Sequence, residues 1–175
     1  HAISKLAHLH CAASADAAMR LNKMGEEPWR VTVSGAPGLD NLHSMDMLTR
    51  DELSVRFGID LSASTLLVTY HPVTLESMHT ERQMEELLAA LERWEHNVVF
   101  TYPNADPSHR LIVEMIRRSA DEQERFQVKV NLGTQAYFSL MGLATAMVGN
   151  SSSGIIEAAS FKLPVVNIGS RQRGR

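Results

Sequence analysis

The chain has 175 residues, of which 44% are hydrophobic, and its 17 Lys and Arg against 20 Asp and Glu give a formal net charge of -3. That length and apolar content suffice to bury a core, which excludes a disordered class. The charge balance supplies no general field for nucleic acid or an anionic membrane, so an anionic ligand must meet a local basic cluster.

Cys11 stands alone, which leaves no disulfide framework and no CxxC metal spacing, and a reducing cytoplasm is the expected setting. No apolar run approaches the roughly 20 residues that span a bilayer, and no signal-peptide layout opens the chain. Neither a membrane nor a nucleic-acid partner is expected, and no cofactor.

The opening HAISKLAHLH reads as an amphipathic helix, with Ile3, Leu6, Ala7 and His10 on one face. It starts without an initiator Met, and the far end stops at RQRGR directly after the strand-like PVVNIG, so both edges read as cuts within a longer protein. Residues 31–35, VTVSG, form a short strand candidate, and APGLDNL follows as a loop. A domain boundary is expected near residues 41–47.

Beyond it the text becomes regular. TLLVTY at residues 65–70 is a buried strand pattern, and Met84, Leu87, Leu88, Leu91 and Trp94 then recur at helical steps. NVVFTY at 97–102 is the next strand, after which Asp106 and Pro107 read as N-cap and first position of a helix striped by Leu111, Ile112, Met115 and Ile116. FQVKV, a helix around 137–141, TAMVG, a helix from about Ser153 and PVVNIG continue the alternation. Strand and helix in turn imply an α/β fold with a doubly wound parallel sheet, because parallel strands need crossover connections. In such sheets ligands bind outside the carboxyl ends of the strands.

Those ends carry HPVT at 71–74, PNAD at 103–106, NLG at 131–133, GNSSSG at 149–154 and GSR at 169–171. In GNSSSG the glycines allow close backbone approach, the serines supply hydroxyl donors and the following helix directs free N–H groups at the loop, a combination suited to a diphosphate. A serine N-cap in a tight turn is the alternative. The stretch is neither a Walker loop nor a nucleophile elbow. Glu157 sits one turn into the expected helix, too near a phosphate to face it, and the vicinal hydroxyls of a ribose are its fitting target; otherwise it is a helix-start acid. His71 follows a buried strand and precedes Pro72, which restrains it to extended backbone, so its imidazole could donate to phosphate. The other histidines show no zinc pattern, His8 and His10 falling on different helix faces. Arg171, Arg173 and Arg175 stand beside the last strand end, where guanidinium groups suit phosphate, Arg171 foremost; solvated surface charge is the other reading.

Together these stretches resemble the hydrolysing UDP-N-acetylglucosamine 2-epimerases, the family that begins sialic acid synthesis in bacteria and vertebrates. HAISKLAHLH, HPVT, YPNAD, the LG and YFSLM stretch, GNSSSGIIE and NIGSRQRGR stand in the family's order and spacing along nearly the whole chain. The resemblance implies the nucleotide-binding half of a glycosyltransferase-B-like two-domain fold, with residues 1–47 a remnant of the N-terminal Rossmann-like domain plus linker and 48–175 most of the UDP-binding domain. It implies conversion of UDP-N-acetylglucosamine to N-acetylmannosamine and UDP, by anti elimination of UDP to a 2-acetamidoglucal and syn addition of water. It places Ser151 and Ser152 at the diphosphate, Glu157 at the ribose, His71 and Arg171 at the phosphate region, Asn104 near the nucleotide, and Asn131 to Gly133 along the base. The family's catalytic carboxylates lie upstream of the segment matching His1, so the intact protein is expected to supply them, as a homo-oligomer acting on a UDP-sugar. A UDP-diacetamido-sugar epimerase of legionaminic acid synthesis and a non-catalytic UDP-binding module are the alternatives.

Overall fold

The computed structural model describes residues 1–173, apart from the side chain of His43. Gly174 and Arg175 lie outside them. The chain divides into two compact units between Met45 and Asp46.

In the first unit, strand β1 (His10–Ala12) pairs in parallel with β2 (Val31–Val33) across the crossover helix α2 (Ala15–Lys23). Ser14 caps α2 by accepting from the Ala17 N–H at 3.2 Å. The opening helix α1 spans only Ala2–Leu6, because Ala7 turns into extended backbone and His10 is claimed by β1. The expected stripe through His10 is therefore not a helix face: Ile3 and Leu6 are more than 80% exposed, whereas His10 is buried against Glu26. Lys5 holds the other oxygen of Glu26 at 2.6 Å, and with His10 it keeps that carboxyl below its ordinary range. The stretch read as a loop contains a 3-10 turn (Pro37–Leu39) and the short helix α3 (Asp40–Ser44).

The second unit opens with α4 (Arg50–Phe57), whose start carries a sequence signature: Thr49-Arg50-Asp51-Glu52 forms a complete capping box. Then come β3 (Thr65–Thr69), α5 (Thr80–Glu92), β4 (Asn97–Thr101), α6 (His109–Glu122), β5 (Phe126–Lys129), α7 (Gly133–Leu143), β6 (Ala146–Gly149), α8 (Ser153–Ile156) and β7 (Val165–Asn167). All pairings are parallel, in the order β5-β4-β3-β6-β7. From β3 the chain steps outward through β4 to β5, then returns past β3 to β6 and β7. Right-handed crossovers place α5 and α6 on one face and α7 and α8 on the other, so the sheet is doubly wound.

Both faces of β3 are consequently buried, and its sequence is a continuous apolar run rather than an alternating one. Leu66, Val68, Val98 and Phe100 pack on Met84, Leu87, Leu91, Ile112 and Ile116 of α5 and α6. Beside them, toward β6 and β7, that face opens into a groove of about 590 Å3 lined by Leu91, Trp94, Val148, Val166 and Ile168.

Helix α6 begins at His109, not after Asp106. Ser108 adopts a left-handed φ of 70° that breaks helical continuity, and the Asp106 carbonyl closes a turn by accepting from the His109 N–H at 3.1 Å. Among the described residues no helix is long and apolar enough to cross a membrane.

Candidate functional site

The reversal of strand order places the loops after β3 and β6 side by side while their crossovers depart to opposite faces. In doubly wound sheets such a switch point is where ligands bind, and the loop after β4 adjoins it.

Register keeps β3 and β6 paired as far as Thr69 and Gly149. Gly149 is required there: at its φ of 141° an added Cβ would lie 2.0 Å from the Thr69 carbonyl oxygen. The next residue, Asn150, is 1% exposed and continues the ladder with its side chain. Its Oδ1 accepts from the His71 N–H at 2.7 Å, and its Nδ2 donates to the His71 carbonyl at 2.8 Å. Its own carbonyl accepts from Arg171 at 3.1 Å and Gln172 at 2.7 Å.

The ring of His71 is held as well. The Asn104 N–H donates to His71 Nδ1 at 3.0 Å, and since a backbone N–H can only donate, Nδ1 carries no proton and Nε2 carries the one. Burial first and the Arg171 guanidinium second lower the imidazole pKa to about 4, against the opposing charge of Asp106. His71 is thus a neutral, fixed N–H donor at pH 7.

Ser151 is buried, and its Oγ accepts from the Ser153 N–H at 3.3 Å; Ser152 makes no side-chain cap. The helix after the loop is a single turn, so Glu157 stands at its C-cap rather than one turn inside a longer helix. Its Oε2 is buried and has no hydrogen-bond partner among the described residues, a condition shared by Oε1 of Gln172. Tyr137 on α7 stands close to the same group. Burial pushes its phenol above the ordinary range and the Glu157 charge adds to this, while hydrogen bonding to Ser153, Thr69 and Ser151 acts in the opposite direction.

The structure therefore brings His71, Asn104 and Arg171 into one hydrogen-bonded cluster beside Ser151 and Ser152. Asn131 and Gly133 are not part of it. They form an exposed turn after the edge strand β5, where Asn131 Oδ1 accepts from the Gly133 N–H at 2.9 Å. Arg173 is exposed, and Arg175 lies outside the described residues. Asn150, Gln172 and Tyr137 were missed from sequence; the position of Asn150 directly after a strand-end glycine was the available signal.

The family described as UDP-N-acetylglucosamine 2-epimerase matches residues 1–175. A GDP/UDP-N,N'-diacetylbacillosamine 2-epimerase (hydrolyzing) of Campylobacter jejuni is 38% identical over all of this chain and 46% of its own length. A UDP-N-acetylglucosamine 2-epimerase of Neisseria meningitidis is 31% identical, again over the whole chain and 46% of its own length. The chain thus spans about half the length of these relatives. Among solved structures, a Staphylococcus aureus MnaA–UDP complex superposes with a TM-score of 0.75 at 19% identity, covering 96% of this chain and 44% of that one. The parallel α/β fold is that of the glycosyltransferase-B-like epimerase structures.

Proposed function

From the premise that this chain belongs to the UDP-N-acetylglucosamine 2-epimerase family, we propose that the intact protein is a hydrolysing 2-epimerase of a UDP-acetamido sugar, and that the unit beginning at Asp46 is most of its UDP-binding domain. Residues before it would be a remnant of the N-terminal domain and linker. The observation that carries this reading is the convergence of His71 and Arg171 with the Ser151 and Ser152 loop at the switch point. A neutral imidazole N–H, a guanidinium and two hydroxyls are all donors, and a diphosphate is all acceptors.

The rest of a nucleotide has matching places. Asn131 to Gly133 lie three strand spacings, about 14 Å, from the β6 loop. A nucleoside diphosphate can bridge such a span and free phosphate cannot. Glu157 offers a buried carboxylate oxygen in need of a donor, which a ribose hydroxyl would satisfy.

In the proposed reaction a base removes the proton at carbon 2 while UDP departs from carbon 1 with the bonding pair, leaving a 2-acetamidoglucal. Water then adds syn, its hydroxyl to carbon 1 and a proton to carbon 2 on the face opposite the one from which the first proton was removed. Binding and leaving-group stabilisation fall to this chain, since donors aimed at the diphosphate stabilise the charge that develops on departing UDP. The carboxylates that move protons are assigned, on the family resemblance, to the portion upstream of His1.

For the sugar, the 38% identity to a diacetylbacillosamine epimerase against 31% to an N-acetylglucosamine epimerase favours a UDP-diacetamido sugar. UDP-N-acetylglucosamine is the second reading, favoured by the description of the family. The deciding experiment gives both sugars to the intact protein and identifies the products. A kcat/KM at least tenfold higher for the diacetamido sugar is expected; the reverse preference selects the second reading, and UDP binding without turnover of either would leave a non-catalytic UDP-binding module. Replacing Ser151 and Ser152 together by Ala should weaken UDP binding by at least tenfold in calorimetry, and unchanged affinity would remove the diphosphate from this loop.

A further inference from the structure

We infer that Asn150 is the positioning residue of this site: its side-chain amide clamps the backbone of His71 and thereby holds the imidazole as a fixed Nε2–H donor, in register with the serine loop that follows Asn150 itself.

The geometry has three parts. First, the Asn150 amide pairs with both backbone groups of His71, at 2.7 and 2.8 Å, as a neighbouring strand residue would. No backbone of β6 could do so, because the strands part after Thr69 and Gly149. Second, the main chain of Asn150 is anchored independently: its N–H donates to the Thr69 carbonyl at 3.1 Å and its carbonyl takes Arg171 and Gln172. The clamp is therefore attached to β3, β6 and the segment after β7 together. Third, the ring orientation depends on the backbone it hangs from, since the Asn104 N–H reaches Nδ1 only if His71 is held where it is. A reorientation that brings the N–H···N angle below about 120° would break this bond.

Gln172 reinforces the arrangement. It is 4% exposed, spends its Nε2 on the Asn150 carbonyl and leaves Oε1 unpartnered among the described residues. Its function here is to support the clamp from the far side. The charged groups that face the imidazole are Arg171 and Asp106; Arg171 bonds the Asn150 main-chain carbonyl, an acceptor that both substitutions retain.

The consequence is coupling. A ligand group seated on Ser151 and Ser152 and one seated on His71 Nε2 are referenced to a single residue between them, so displacing Asn150 should lose the contribution of the imidazole as well as local order. The affinity arm of the test rests on the proposed UDP site; the imidazole arm does not.

The test uses the intact protein with Asn150→Asp and Asn150→Ala. Asp keeps the acceptor for the His71 N–H and replaces the donor by an oxygen that repels the His71 carbonyl. Nitrogen-15 correlation spectra of the imidazole should show a single Nε2–H tautomer in the wild type. In both variants they should show tautomer averaging and a titration midpoint at least one unit closer to the ordinary histidine value. UDP affinity should fall at least tenfold, and in a His71→Gln background the uncharged Asn150→Ala should cost less than threefold, because its effect runs through the imidazole. Cooperatively folded variants with an unchanged tautomer and midpoint would overturn the inference, as would full additivity with His71→Gln. Should neither variant fold, the wild type decides alone: a mixed tautomer would overturn the clamp, and a single Nε2–H form with the Asn104 amide proton coupled to Nδ1 would support it. A retained tautomer switch with no UDP binding in the wild type would overturn the function proposed above while leaving the clamp standing.

Discussion

His71 shows how much one side chain owes to its surroundings. An isolated imidazole titrates near 6.5, and here burial, with the Arg171 charge second, brings it to about 4. The folded state therefore resists a proton that the unfolded chain accepts below pH 6.5. The stability this implies is complete above pH 6.5 and is lost as pH falls toward 4, to a total of roughly 3 kcal/mol. Urea unfolding at pH 7 and pH 4.5 should show the wild type losing about 2 kcal/mol more than His71→Gln over that interval; equal losses would mean that the imidazole is freely protonated in the fold. Glu157 makes a second residue-scale case. If its orphaned oxygen receives a ribose hydroxyl, Glu157→Gln should weaken UDP binding about tenfold or more, since a hydrogen bond to a charged group contributes roughly 1.5 to 3 kcal/mol. The variant should lose little further affinity for 2′,3′-dideoxy-UDP relative to wild type; the same tenfold penalty with that analogue would assign the carboxylate to the loop rather than the ribose.

Among the elements, β6 and the loop after it carry the tightest constraint. Gly149→Ala sets a methyl 2.0 Å from a backbone oxygen that cannot give way without separating β3 from β6. Calorimetric melting should show a loss of about 4 kcal/mol or more, and a fall of under 1 kcal/mol would mean that the two strand ends are less rigidly paired than their register implies. Helix α4 gives the contrasting case of an exposed and local constraint. Its capping box is closed by Thr49 and Glu52 alone, so Thr49→Ala should cost about 1 kcal/mol with UDP affinity unchanged. The same contrast explains which elements were legible. The buried runs of β3 and β4 and the stripes of α5 and α6 announce themselves by periodicity, whereas the start of α6 was misread because Ser108, in a left-handed conformation, displaced the N-cap chemistry of Asp106.

For the molecule as a whole, the proposed division of labour assigns binding to this chain and proton transfer to residues upstream of it. At equal concentration this chain alone should release no UDP from a UDP-acetamido sugar above background, while the intact protein turns it over. General acid-base catalysis needs its groups within hydrogen-bond reach of carbon 2 and of the leaving oxygen. Of the acids near the site, Glu157 is assigned to the ribose in the proposed complex, and Asp106 faces His71, where its charge opposes that of Arg171. Coupled detection of UDP makes the comparison direct, and fragment turnover within tenfold of the intact rate would relocate the catalytic residues to this chain.

By itself the sequence determined the alternation of strands and helices, the doubly wound class that follows from it, and the set of polar loops at the carboxyl ends. All of these are written in local periodicity, buried apolar runs and turn chemistry, which act over a few residues. It did not determine which loops touch. Strand order depends on which helices cover which face, and only the sequence β5-β4-β3-β6-β7 puts His71 against Asn150, 79 positions away, while leaving Asn131 and Gly133 at the far edge. The roles of Asn150, Gln172 and Tyr137 were undetermined for the same reason, even where the position of Asn150 after a strand-end glycine marked it. Their roles consist of satisfying buried polar groups supplied by distant strands, and a hydrogen-bond requirement of that kind exists only once the tertiary fold has removed water.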